Sequence, residues 1–190
     1  MNISAIILAA GRSTRMGQQK LLMPWGGTTV LGKVINTLRE SEINDIILVT
    51  NSELASRITQ YDLRITLNDG NEMLSSLQLG LQEQKPSAEA ALVCLGDQPQ
   101  IEERSVRSVC DAFKINKSNL VVPSYQMRRG HPWLVARPLW EEILAMQAGE
   151  SMRDFLNAHQ NAIEYVNLDM PTILQDLDTP EDYLKYKPPM

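Results

Sequence analysis

The fold of this chain is decided by Ile7-Leu8-Ala9-Ala10-Gly11-Arg12-Ser13-Thr14-Arg15-Met16-Gly17-Gln18-Gln19-Lys20. An apolar run over residues 4–8 suits a buried strand. It empties into two alanines and a glycine, then two arginines and a lysine. Side chains this small let backbone N–H groups approach a ligand closely, and the cations that follow favour an anionic one. Two readings fit the loop taken alone. In one, the amides of Ala9, Ala10 and Gly11 hold phosphate while Arg15 and Lys20 neutralise it. In the other, the segment is a tight strand-to-helix turn with solvated cations. Neither the Walker A spacing nor the Gly-x-Gly-x-x-Gly fingerprint is present.

Working outward, apolar runs of strand length recur at residues 45–49, 64–67, 91–95, 120–123, 133–135 and 163–166. Between them lie segments of helical period. Leu31, Val34, Ile35 and Leu38 follow the i, i+3, i+4, i+7 spacing, as do Val106, Val109, Cys110 and Phe113. Further helices are expected around Leu74, Leu77 and Leu81, around Trp140, Ile143 and Leu144, and after the N-cap and proline pair Thr179-Pro180. Strands alternating with helices predict an α/β fold, a mostly parallel sheet with helices on both faces. Residues 121–135 break the pattern; either an antiparallel hairpin or a substrate-covering excursion fits there. In such sheets, ligands bind beyond the carboxyl ends of the strands.

The 190 residues fit one domain, 1–190, long enough to bury a core without disulfides. Cys94 and Cys110 sit in apolar runs without metal spacing and read as core thiols of a reducing compartment. No basic leader and no apolar stretch of about 18 residues is seen, so a cytoplasmic protein with no membrane contact is expected. A net charge of −5 disfavours nucleic acid but not a small phosphorylated ligand, which needs only local positive charge.

Three further clusters follow strands or precede helices. Gly96-Asp97-Gln98-Pro99 puts a carboxylate at the end of a central strand, where it either holds a divalent cation beside phosphate or makes an Asx turn. Asp176-Leu177-Asp178-Thr179-Pro180-Glu181-Asp182 either supplies a second metal ligand or is only a capping box formed by Thr179 and Asp182. Gly130-His131-Pro132 holds one of two histidines, with no Ser or Cys nucleophile evident to pair with it. Asn51 and Asn68 each follow a strand and either contact a nucleotide or make a turn.

Taken in order, these segments resemble the nucleotidyltransferases that build molybdenum cofactors. The resemblance is closest to the molybdenum cofactor cytidylyltransferase family and spans nearly the whole chain. It rests on Leu8-Ala9-Ala10-Gly11-x-Ser13-x-Arg15-Met16-Gly17-x-x-Lys20 with Pro24-Trp25, and on the Gly96, Gly130 and Asp176 motifs. It implies a three-layer Rossmann-like nucleotidyltransferase fold and a magnesium-dependent transfer of CMP from CTP to the terminal phosphate of molybdopterin, releasing pyrophosphate.

By this resemblance Arg15, Lys20 and Asp97 are the catalytic residues. Leu8, Ala9, Ala10, Gly11, Asn51, Asn68 and Gly96 join them around the nucleotide. Gln98, Pro99 and His131 face the acceptor. Asp97 and Asp178 hold the metal, with Asp176 the other candidate for the second carboxylate. A molybdoenzyme or its cofactor-insertion chaperone is the implied recipient of the product. Guanylyltransferase relatives read Leu-Ala-Gly-Gly with an Asp before the lysine; Leu8-Ala9-Ala10-Gly11 and Gln18-Gln19-Lys20 favour CTP, since the Ala10 methyl restricts the approach of a purine. The alternatives are GTP as donor or another phosphorylated acceptor such as a sugar phosphate. Glu72 before Met73 departs from the glycine that relatives often carry there.

Overall fold

The computed structural model describes residues 2–11, 16–70 and 72–189. All seven expected strands form, with ends shifted by at most two residues. They are β1 (Ile3–Ala9), β4 (Ile46–Thr50), β5 (Arg64–Leu67), β6 (Ala90–Leu95), β7 (Leu120–Tyr125), β9 (Trp133–Ala136) and β10 (Glu164–Asn167). Two short pieces were not anticipated. A hairpin of β2 (Pro24–Trp25) and β3 (Thr28–Thr29) turns at Gly26-Gly27, and β8 (Arg128–Arg129) pairs with β7. The main sheet runs β10-β7-β9-β6-β1-β4-β5. β1 lies parallel between β4 and β6, β5 is parallel to β4, and β10 is parallel to β7. Only β9 and β8 run antiparallel to their neighbours.

The helices divide between the faces because strand side chains alternate. Ala5, Ile7 and Ala9 of β1, with Leu92 and Cys94 of β6, meet α1 (Val30–Glu40) and α4 (Glu103–Asn116). Ile6, with Ile47, Val49, Ala91 and Val93, meets α3 (Met73–Gln82), α5 (Trp140–Ala145) and α6 (Met152–Ala158). The result is three layers with β1 and β6 buried on both sides, as parallel central strands require. Both cysteines lie in this core, and burial pushes their thiols upward, Cys110 to about 11. No described helix is long and apolar enough to cross a membrane.

Residues 120–136 prove to be a hairpin with an interruption. β8 and β9 both pair with β7, and Gly130-His131-Pro132 leaves the ladder between them. α2 (Ser52–Ala55) is a single turn capped by Asn51, and α7 (Pro180–Tyr186) begins at the expected Thr179 cap. Its capping box is complete: Thr179 N–H and Oγ1 both donate to Asp182 Oδ2, at 2.9 and 2.8 Å. Tyr183 then donates to the Pro24 carbonyl at 2.7 Å, docking α7 on the β2–β3 hairpin. Chain ends far apart in sequence thus meet just beyond the carboxyl ends of β1 and β6.

Candidate active site

The loop after β1 is tied from below. Thr50 Oγ1 donates to the Ala9 carbonyl at 3.1 Å, and Asn51 Nδ2 donates to the Ala10 carbonyl at 3.2 Å. In a planar trans peptide, N–H and C=O point opposite ways. Anchoring these two carbonyls toward β4 therefore turns the Ala10 and Gly11 amides away from it. Gly11 is exposed, and a methyl group there would meet nothing within 4 Å among the described residues. Arg15 lies outside the described residues.

Lys20 starts a short 3-10 turn, Lys20–Leu22, fixed by the buried Leu21. Its ammonium sits 2.5 Å from Asp97 Oδ2 and 3.6 Å from Asp178 Oδ1, and donates to the Leu177 carbonyl at 3.0 Å. Leu177 N–H in turn donates to the Asp97 carbonyl at 3.1 Å. Asp97 is delivered by the turn after β6, which must pass close over β1. Gly96 N–H donates to the Leu8 carbonyl at 3.0 Å, and a Cβ at Gly96 would lie 3.2 Å from the Ala9 methyl and 3.3 Å from that same carbonyl. Residues 20, 97 and 178 come together from three distant parts of the chain.

The third carboxylate belongs to Asp176, an exposed residue whose carboxyl is nonetheless partly withdrawn from water. Burial raises its pKa; the hydrogen bond from Gln98 Nε2 opposes this, and the charges of Asp97 and Asp178 raise it further. Among the described residues, one ammonium faces three carboxylates, a balance that a divalent cation would offset. The donors are all hard oxygens, and no described group of three or more His, Cys, Asp or Glu side chains forms a closed metal cage. Two carboxylates with the remaining positions left to water and phosphate oxygens is a donor set that suits magnesium. Asp97 and Asp178, already converging on one cation, are the residues that fit it.

The other expected site residues are placed less directly. Asn51 and Asn68 are buried, and their amides brace the scaffold. Asn51 Oδ1 accepts from Leu54 N–H at 2.8 Å; Asn68 Nδ2 donates to Ser75 Oγ at 2.9 Å and Ser76 Oγ at 2.8 Å, and its Oδ1 accepts from Gly70 N–H at 3.0 Å. Gln98 and Pro99 are buried, with the Gln98 amide engaged by Asp176. Leu8 lines a recess of 290 Å³ on the α3 and α6 side, together with His131 and Trp133.

Gly130-His131-Pro132 proves to be a junction. A Cβ at Gly130 would fall 2.5 Å from the Ile173 carbonyl oxygen, so only glycine permits the approach, and His131 N–H donates to that oxygen at 3.0 Å. Burial of the His131 ring lowers its pKa to about 4, leaving it neutral at neutral pH. The motif thus seats the turn Pro171–Leu174, from which the chain passes directly to Asp176 and Asp178. Sequence reading overlooked Arg129 and Arg153, which also line the 290 Å³ recess. One signal was available, the Ser151-x-x-Asp154 capping box that starts α6 beside Arg153.

The sequence profile of the MobA-like NTP transferase domain matches residues 5–163. Molybdenum cofactor cytidylyltransferase of Escherichia coli K12 is 28% identical over 97% of this chain and 95% of its own length. Among solved structures, Rv0371c of Mycobacterium tuberculosis H37Rv superposes with a TM-score of 0.84 at 26% identity, covering 97% of each chain. A complex of Rv0371c with manganese superposes with a TM-score of 0.79 at 24% identity, again over 97% of each chain.

Proposed function

The chain belongs to the MobA-like NTP transferase family and is a nucleotidyltransferase, and we propose that it transfers CMP from CTP to the terminal phosphate of molybdopterin, releasing pyrophosphate. The observation that carries this reading is Lys20 held between Asp97 and Asp178, with its ammonium also bound to the Leu177 carbonyl. In this reading Lys20 and the amides of Ala10 and Gly11 hold the triphosphate, and Arg15 helps neutralise the departing pyrophosphate. Asn51 and Asn68 act beneath the nucleotide by fixing the loops it rests on, with Leu8 and Gly96 forming the floor. Gln98 and Pro99 set the position of Asp176 and the turn that carries Asp97.

Asp97 and Asp178 would hold magnesium, which would supply charge neutralisation at the reacting phosphates. The acceptor phosphate is itself an anionic nucleophile, so the protein needs no general base. Positioning and electrostatic stabilisation suffice, which fits a cluster lacking a nucleophile-and-base pair. CTP is favoured over GTP by Ala10, whose buried methyl is fixed by the Asn51 bond to its own carbonyl. The manganese in the Rv0371c complex is in keeping with a divalent ion in this fold.

The test is pyrophosphate release by the purified protein with molybdopterin, magnesium and either CTP or GTP, with a sugar phosphate as the control acceptor. Turnover with CTP and molybdopterin is expected. Asp97→Ala should keep its thermal transition and lose metal-dependent turnover by at least about 100-fold. A preference for GTP would overturn the assignment of donor, and turnover only with the sugar phosphate would overturn that of acceptor.

A further inference from the structure

We infer that Arg129 and Arg153 form the anion grip for the acceptor substrate and select an acceptor by its negative charge; this rests on the transferase reading above. Both arginines line the 290 Å³ recess and an adjoining hollow of 590 Å³ that reaches Tyr165 and Asn167. Among the described residues, no Asp or Glu lines either space. Together they lie in the size range of small-molecule sites, with apolar walls at Trp133, Met73 and Met152 and two guanidinium groups in common.

Among the described residues, the Arg129 guanidinium donates only to neutral oxygens. Nε donates to Tyr165 Oη at 2.9 Å and Nη1 to Asn157 Oδ1 at 2.8 Å, with the guanidinium 5.8 Å from the Tyr165 ring centre. These contacts orient the fork and leave its remaining N–H groups for a ligand. Arg153 is exposed and makes no hydrogen bond among the described residues. Its neighbour Asp154 accepts from Ser151 N–H at 3.0 Å and Oγ at 2.6 Å; these bonds, and after them the Arg153 charge, hold its carboxyl below the usual range. His131 is neutral at neutral pH and adds no competing charge.

The recess adjoins the reaction centre through Leu8, whose side chain lines it and whose carbonyl accepts from Gly96, the residue before Asp97. An acceptor lying on the apolar walls would thus have one end at the strand termini and its charge between the arginines. The turn before Arg129 holds Gln126 and Met127 both in the left-handed region, at φ 48° and 64°. Non-glycine residues adopt that conformation at a cost, here in the turn that presents Arg129.

The test compares wild type with Arg153→Ala, Arg129→Gln and Arg153→Lys. Two readouts are needed: equilibrium binding of molybdopterin without nucleotide, and the KM values for molybdopterin and CTP in the transfer assay. Each loss of a guanidinium should weaken molybdopterin binding by about 10-fold or more, with the KM for CTP unchanged and partial recovery in Arg153→Lys. Undiminished molybdopterin affinity in both Arg153→Ala and Arg129→Gln, or no binding by wild type, would overturn the grip. If the variants bind molybdopterin weakly but wild type transfers no CMP, the grip stands and the transferase reading fails. If transfer proceeds with unchanged acceptor affinity in both variants, the transferase reading stands and the grip fails.

Discussion

Gly130→Ala is the substitution whose effect follows most directly from the geometry. The added methyl would sit 2.5 Å from the Ile173 carbonyl oxygen, and 2.8 and 2.9 Å from two carbons of the Ile173 side chain. Ordinary contact begins near 3.4 Å, so the oxygen must retreat by about 0.9 Å. Ile173 is fully buried and its carbonyl also holds His131 N–H, so the retreat breaks packing and a hydrogen bond together. Overpacking of this kind costs about 1–3 kcal/mol. For a chain of this size that lowers Tm by about 2–12 °C.

Catalysis should suffer more than stability. Only three residues separate Ile173 from Leu177, whose carbonyl and N–H tie Lys20 and Asp97 together. A shift of about 1 Å passed to Leu177 and Asp178 can cost about 100-fold in rate. Differential scanning calorimetry and pyrophosphate release measure the two effects separately. A Gly130→Ala protein with wild-type Tm and wild-type kcat would refute the claim that this motif seats the acidic segment.

Lys20→Met leaves Asp97 and Asp178 without the ammonium they share; turnover should fall by at least about 100-fold, read as kcat/KM for CTP. Asn68→Ala strips partners from Ser75, Ser76 and Gly70 at a buried site and should cost about 1–3 kcal/mol in urea unfolding, whatever its effect on the nucleotide. His131 carries its native pKa near 4, below the ordinary 6.5, so the unfolded chain takes up its proton first as pH falls. Its contribution is whole above pH 6.5 and is lost as the pH drops toward 4. His131→Gln should therefore flatten the wild-type decline in unfolding free energy between those pH values; parallel curves would contradict the assigned burial.

The local parts of this protein were legible in the residues themselves. Strand and helix periods depend on neighbours two to four positions apart, so β1, β6, α1 and α4 could be read directly from the apolar pattern. The Thr179 and Asp182 cap is equally local, and so is the loop of small residues after Leu8. Ser151-x-x-Asp154 and Gly26-Gly27 carried signals of the same kind that went unread, at α6 and the β2–β3 hairpin.

What the residues alone left open was whatever depends on the order of strands in the sheet. Lys20 and Asp97 are 77 positions apart, and nothing in their spacing predicts a contact of 2.5 Å; it arises because β1 and β6 are adjacent and parallel. Taken alone, Asp97 read more readily as a turn residue than as a metal ligand; that Lys20 and Asp178 stand beside it is visible only in the folded chain. Gly130 had no reason to be glycine until Pro171–Leu174 folded against it. Arg129 and Arg153 belong to no linear motif because β8 and α6 bring them to one hollow from separate elements. Apolar burial along each element is encoded by local spacing; convergence of charge at one sheet edge is a property of the assembled layers alone.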